Sequence, residues 1–204
     1  MEDIDVPKEM TLSELKDTLL DMPSLAEAAR NLENQNFIRV REKTFNGFFG
    51  RIFRDNEKTL KQQGIKDRGT LVVQILHEEE VLEPNDYVLT YCKRDSVNRI
   101  YTDLVQVKLR ALNINDLQLK ALELFGSEDA TVSSIKIVKH VPHQFEWKML
   151  DPDEEVSFKQ KKKTVKQRAG DMDLKKPPLL MKDGDQIGVL VNGSSEDDMQ
   201  TEDD

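Results

Sequence analysis

The dipeptide Lys-Asp, two intervening residues and then a short apolar strand occur twice in this chain. Lys66-Asp67 precedes Thr70 to Leu76, and Lys182-Asp183 precedes a strand opening at Gln186. Each copy closes a run that mixes a capped helix with strands, which constrains the chain to a twofold repeat of small α+β units. Composition points the same way. Of 204 residues, 37% are hydrophobic and 34% charged, too thin an apolar supply for one thick-cored domain but adequate for two small ones.

In the first copy, Thr11-Leu12-Ser13-Glu14 forms a capping box, in which the Thr hydroxyl and the Glu carboxylate each accept an orphan backbone N–H. A helix is expected from there, burying Leu12, Leu15 and Leu19 with Lys16 and Asp17 facing out, and Pro23 ends it. Ser24 to Glu33 is Ala-rich and suits a second short helix. From Phe37 the period becomes two: Ile38 and Val40 alternate with Arg39 and Arg41, the mark of a strand with one wet face. Phe45, Phe48, Phe49 and Phe53 accompany Gly47 and Gly50, which reads as a bent hairpin. A tight turn over Thr59–Ile65 and a closing strand over Thr70–Leu76 complete the copy.

A polar stretch from His77 to Asp86 separates this from the second copy. Tyr87 to Cys92 and Val105 to Leu109 read as strands. Asn113 or Asn115 caps a helix carrying Leu117, Ala121 and Leu124, and Gly126 stops it. Strands at Ile135 to Val138, Gln144 to Leu150 and Ile187 to Val191 follow, so the order is strand, strand, helix, strand, strand, strand. The expected domains are residues 1–78, an acidic linker at 79–86, a second module at 87–192 with a basic insertion at about 151–176, and an acidic disordered tail at 193–204.

With Cys92 as the sole cysteine, neither an intrachain disulfide nor a Cys-rich zinc site is expected. The acidic start, Met1 to Asp5, carries no apolar run, and eighteen consecutive apolar residues occur nowhere. A secretory signal and a spanning helix are therefore not expected, which fits a soluble cytosolic or nuclear protein with no membrane partner. The formal net charge of -9 repels nucleic acid and anionic lipid. That average hides an asymmetry: residues 159–176 carry an excess of six positive charges, and residues 193–204 an excess of six negative ones.

The residues carry more than a topology. Thr59-Leu60, Ile65 and Thr70-Leu71 stand at the spacing of the turn and last strand of ubiquitin, and Thr11-Leu12 with Leu15 and Lys16 resembles the start of the ubiquitin helix. Each half thus resembles a ubiquitin-like β-grasp module. The pair, with Ile38-Arg39-Val40-Arg41-Glu42-Lys43-Thr44 and the stretch from Leu174 to Asp185, is similar to the tandem ubiquitin-like segment C-terminal to the catalytic domain in certain ubiquitin-specific proteases. The resemblance covers about residues 4–191. It implies a parent that removes ubiquitin by a cysteine mechanism, with the catalytic Cys and His boxes in another domain. It also implies protein partners for this segment: the catalytic domain, substrates or ubiquitin. One departure stands out. Only Ile4-Asp5-Val6 precedes the first helix, too little chain for an opening hairpin, so the first module is expected to lack its opening strand.

Catalytic, metal and cofactor sites are not expected. A thiol nucleophile needs a neighbouring His to take its proton, whereas Cys92 lies in a strand beside Lys93-Arg94 and reads as a small buried apolar residue. His140 and His143 read as surface histidines, short of the further ligand a metal requires. Ubiquitin recruits partners through an apolar patch on its outer sheet face. The matching spot here is Val138, flanked by Lys136 and His140, with Leu190 beside it; Arg39 and Arg41 leave no aliphatic counterpart in the first module. The other candidate site is a solvated anion-binding loop built by Lys159, Lys161, Lys162, Lys163, Lys166 and Arg168. Phe158 is the only aromatic nearby, so base stacking and nucleic acid are disfavoured, and an acidic protein or the chain's own acidic tail is the better match. The sequence therefore reads as a non-catalytic interaction segment, against the alternative of a stand-alone adaptor binding nucleic acid or acidic partners through its lysines.

Overall fold

Two helices, one in each half of the chain, begin at capping boxes. In the structure, a computed structural model describing residues 3–25, 35–43, 49–94, 100–141, 144, 146–160 and 163–191, the chain divides into units 1–83 and 84–204. In the first unit α1 (Leu12–Leu20) is capped by Thr11, whose side chain accepts from the Glu14 N–H while the Glu14 carboxylate accepts from the Thr11 N–H. Leu12, Leu15 and Leu19 are buried as their spacing requires. Lys16 is buried too, at 7% exposure, which corrects its expected outward position; burial pushes its ammonium below the usual lysine range against the opposing pull of Glu80.

The sheet of this unit has the order β2-β1-β3, from β1 (Ile38–Lys43), β2 (Phe49–Ile52) and β3 (Leu71–Ile75), antiparallel throughout. Ile38, Val40, Phe53 and Leu60 join the α1 leucines in its core. The wet face expected on β1 is absent. Arg39 is nearly buried and its Nε donates to Glu80 Oε2 at 2.8 Å. Arg41 is fully buried, donating twice to the Gly50 carbonyl at 3.1 and 3.2 Å and lying 5.1 Å from the Phe49 ring centre. Both charges are tolerated because each guanidinium finds fixed acceptors. The polar stretch after β3 is tied back as well: the Glu80 N–H donates to Asn36 O, and Asn36 Nδ2 donates to the Glu79 carboxylate. Residues 23–25 are helical; the remainder of the second expected helix, together with Phe45, Gly47 and Phe48, lies outside the described residues.

The second unit has a five-stranded sheet of order β5-β4-β10-β6-β7, from β4 (Asp86–Arg94), β5 (Tyr101–Arg110), β6 (Ile135–Val141), β7 (Glu146–Met149) and β10 (Gln186–Val191). Strands β4 and β10 run parallel; the other neighbours are antiparallel. Helix α2 (Ile114–Phe125), capped by Asn113 with Asp116 completing the box, lies against the core face. Tyr87, Leu89, Tyr91, Ile114, Leu117, Ile137, Leu174, Ile187 and Val189 form that core. The connection from Leu174 to Asp185 is pinned by buried polar groups. Asp183 Oδ1 accepts from the Val88 N–H at 3.0 Å, and Asp185 pairs with Lys139 Nζ at 2.7 Å.

The basic insertion is a hairpin rather than the expected open loop: β8 (Glu155–Gln160) pairs with β9 (Lys163–Arg168) from Glu155↔Arg168 to Gln160↔Lys163. Val156 anchors it against the core. Mixed helices and sheets make the chain α+β and compatible with a β-grasp.

Candidate protein-binding face

The outer face of the second unit's sheet is organised around Gly188. Ile187 and Val189 point into the core, so position 188 faces outward, between Val138 on β6 and Cys92 on β4. A Cβ there would stand 2.6 Å from Tyr101 Cε1, 2.6 Å from Val138 Cγ2 and 3.1 Å from the Trp147 ring. The missing side chain is what lets two aromatic rings settle on the strand.

Each ring arrives by its own local device. Trp147 stands opposite His140 in the β6–β7 ladder. Tyr101 shares sequence parity with Val107 and Leu109, which face the core. A register shift between Tyr91 and Lys93, with Asp103 in the left-handed region at φ 55°, turns the end of β5 over and re-aims Tyr101 outward. The rings then stack at 4.0 Å between centres with an interplanar angle of 25°. His140 lies 4.9 Å from Trp147 on one side, and the Arg94 guanidinium sits 5.3 Å from the Tyr101 ring centre on the other. All four side chains are half-buried.

This arrangement alters the expected patch. Lys136 is exposed and His140 half-exposed, but Val138 is 0% and Leu190 4% exposed, so neither offers apolar surface. What is presented in their place is the Tyr101–Trp147 stack with His140 and Arg94. Aromatic side chains beside an arginine are the residue types over-represented among energetically dominant protein contacts. Tyr101, Trp147 and Arg94 were not among the residues that the sequence singled out. A glycine inside an aliphatic strand, in a chain with one tryptophan, was the available signal.

Cys92 lies on the same face and is buried, with its thiol directed at the Ile187 carbonyl at 3.5 Å. Burial pushes the thiol up to about 12, opposite to what a nucleophile needs. Among the described residues no group of three or more His, Cys, Asp or Glu side chains is placed to hold a metal ion, and no helix is long and apolar enough to cross a membrane. His143 lies outside the described residues.

On the hairpin, Lys166 Nζ donates to Glu155 Oε2 at 2.8 Å and Arg168 approaches Asp153 at 4.0 Å. Lys159 and Lys163 take their places in the backbone ladder opposite Thr164 and Gln160. Lys161 and Lys162, and the acidic residues 193–204, lie outside the described residues.

No protein-family model matches the chain. Two curated proteins do resemble it: ubiquitin carboxyl-terminal hydrolase 40 of Mus musculus, 29% identical over 191 residues, and that of Homo sapiens, 26% identical over 194 residues. Each comparison covers 92% of this chain, which spans 14% of the length of the curated relatives it matches. The chain is therefore homologous to ubiquitin carboxyl-terminal hydrolase 40 across nearly all of its length, and it fits a segment of a protein related to the ubiquitin-specific proteases.

Proposed function

We propose that this chain is a non-catalytic, ubiquitin-like regulatory segment of a deubiquitinase, made of two β-grasp modules that act by presenting surfaces to other proteins. The observation carrying this reading is the strand order of the second unit. A parallel central pair, β4 with β10, is flanked by antiparallel neighbours, and a helix packs on the core face. The first unit supports it with the same helix, strand pair and closing strand, lacking an opening strand beside β3 among the described residues. Homology to ubiquitin carboxyl-terminal hydrolase 40 supports the deubiquitinase context. The cysteine chemistry would belong to another domain of the parent, since the one thiol here is buried and held protonated. The partner is a protein, the parent's catalytic domain before substrates or free ubiquitin, and the contact face is the Tyr101–Trp147 stack.

The reading is tested by mixing this chain with the thiol-protease domain of the mouse relative and following both Trp147 fluorescence and the rate of ubiquitin release. A saturable fluorescence change with an altered rate is the expected result. Tyr101→Ala should abolish both signals, and Trp147→Ala, which removes the fluorophore, should abolish the rate effect. Ubiquitin release by the chain alone, or no change in either signal, overturns the reading. The adaptor alternative has less support, because Lys166 already faces Glu155 on its own hairpin and Arg168 faces Asp153 just before it.

A further inference from the structure

Residues 193–204 carry Glu196, Asp197, Asp198, Glu202, Asp203 and Asp204 and no basic residue, with Met199 as the one large apolar side chain among them. The basic hairpin was their expected counterpart, but there Lys166 already faces Glu155 and Arg168 faces Asp153. The strand that leads into this segment ends beside a different set of cations. β10 closes with Leu190 opposite Lys136 and Val191 opposite Ile135 on β6. On its other side Val189 lies beside Lys93, one residue before β4 ends at Arg94. The chain therefore leaves the sheet between the strands that carry Lys136 and Arg94.

Both cations belong to the outward face. Lys136 is two residues from Val138, which stands opposite Gly188, and it is exposed. Arg94 follows Cys92 by two residues and places its guanidinium 5.3 Å from the Tyr101 ring centre. His140, two residues beyond Val138, adds a ring N–H beside Trp147. The outward residues of β10 and β6 include no carboxylate: they are Gln186, Gly188 and Leu190, and Lys136, Val138 and His140. Asp86, at the far end of β4, is taken up by Lys108 and Arg110, and Asp103 sits in the bulge of the edge strand β5. Stacked rings flanked by cations thus lie next to the point where the acidic segment begins.

We propose that residues 193–204 fold back over this face, with Met199 against the Tyr101–Trp147 stack and the neighbouring carboxylates against Lys136 and Arg94. A thioether packs well on aromatic rings, and the acidic side chains before and after it match the cationic rim. The reach suffices. Turning back from Val191 to the level of Gly188 covers about 10 Å, and the eight residues from Val191 to Met199 can span about 26 Å. Tethering raises the local concentration of the segment, so a contact too weak for a free peptide still fills the face. A protein partner of the face then has to displace the segment, which makes the acidic run a built-in competitor. That role rests on the reading of the Tyr101–Trp147 stack as a contact face. The docking itself is measured on this chain without the hydrolase domain, so either can fail without the other.

The test is a nitroxide label on the full chain carrying Thr201→Cys, read by paramagnetic broadening of amide signals. Cys92 is buried with its thiol pushed up to about 12, so the label goes to the introduced thiol. At about 20 mM ionic strength, Tyr101, Lys136, Trp147 and Gly188 are expected to lose most of their amide intensity relative to the reduced label; at about 0.5 M it returns, because screening removes the attraction. Lys136→Glu, at an exposed position, should restore the intensity at low salt as well. Loss on the β8–β9 hairpin in place of this face, no loss anywhere, or loss indifferent to both salt and Lys136→Glu would each overturn the proposal. So would broadening of an unlabelled copy in an equal mixture, because the segment would then lie on a second chain.

Discussion

Gly188 decides what the outer sheet face can present. Valine at this position would drive its side chain into the Tyr101 and Trp147 rings, at approaches as short as 2.6 Å for the first carbon alone. Gly188→Val is expected to destabilise the second unit by about 1–3 kcal/mol in urea unfolding and to shift the emission of Trp147, the only tryptophan. A wild-type midpoint with unchanged emission would show that the rings do not rest on the strand. Cys92 carries a pH signature of the same local packing. Its folded thiol lies up at about 12 against an ordinary 9.0, so the neutral form is the one the fold favours. That contribution is complete below pH 9 and is lost as pH rises through the folded value. Cys92→Ala should flatten the decline in stability between about pH 9 and 12, and wild-type Cys92 should react with thiol reagents only after unfolding. Arg39 and Arg41 show where residue-level reading stops. Strict alternation marked them as solvent-facing, but Glu80 and the Gly50 carbonyl, 41 and 9 positions away, supply acceptors that no periodicity encodes.

At the scale of elements, helix starts were the most legible feature because a capping box is a contact among four consecutive residues. Thr11→Ala and Asn113→Ala are each expected to cost about 1 kcal/mol, read in the unfolding of the unit that holds the helix. Strand positions were legible from alternation, and the Gly126 stop from its place after Phe125. The β8–β9 hairpin was obscured. Its lysines signalled a solvated loop, while the alternation of Val156 and Phe158 along β8, with Phe158 opposite Val165 in the ladder, sits beneath the charge pattern. The candidate face was hidden for a geometric reason. Tyr101 reaches it only through a β-bulge in β5, and a one-residue shift of register reverses which side of a sheet a residue occupies.

At the scale of the whole molecule, the chain invests its limited apolar residues in two interiors, one around Leu12, Leu15 and Val40 and the other around Leu89, Ile137 and Ile187. Both are built by a capped helix on a sheet. The most direct measurement of that organisation is native-state amide exchange in rising urea, residue by residue, on wild type and on Asn113→Ala. Two interiors predict that the cap substitution lowers the opening free energy of Leu89, Ile137 and Ile187 by about 1 kcal/mol and leaves Leu12, Leu15 and Val40 unmoved. Equal loss in both sets would contradict it.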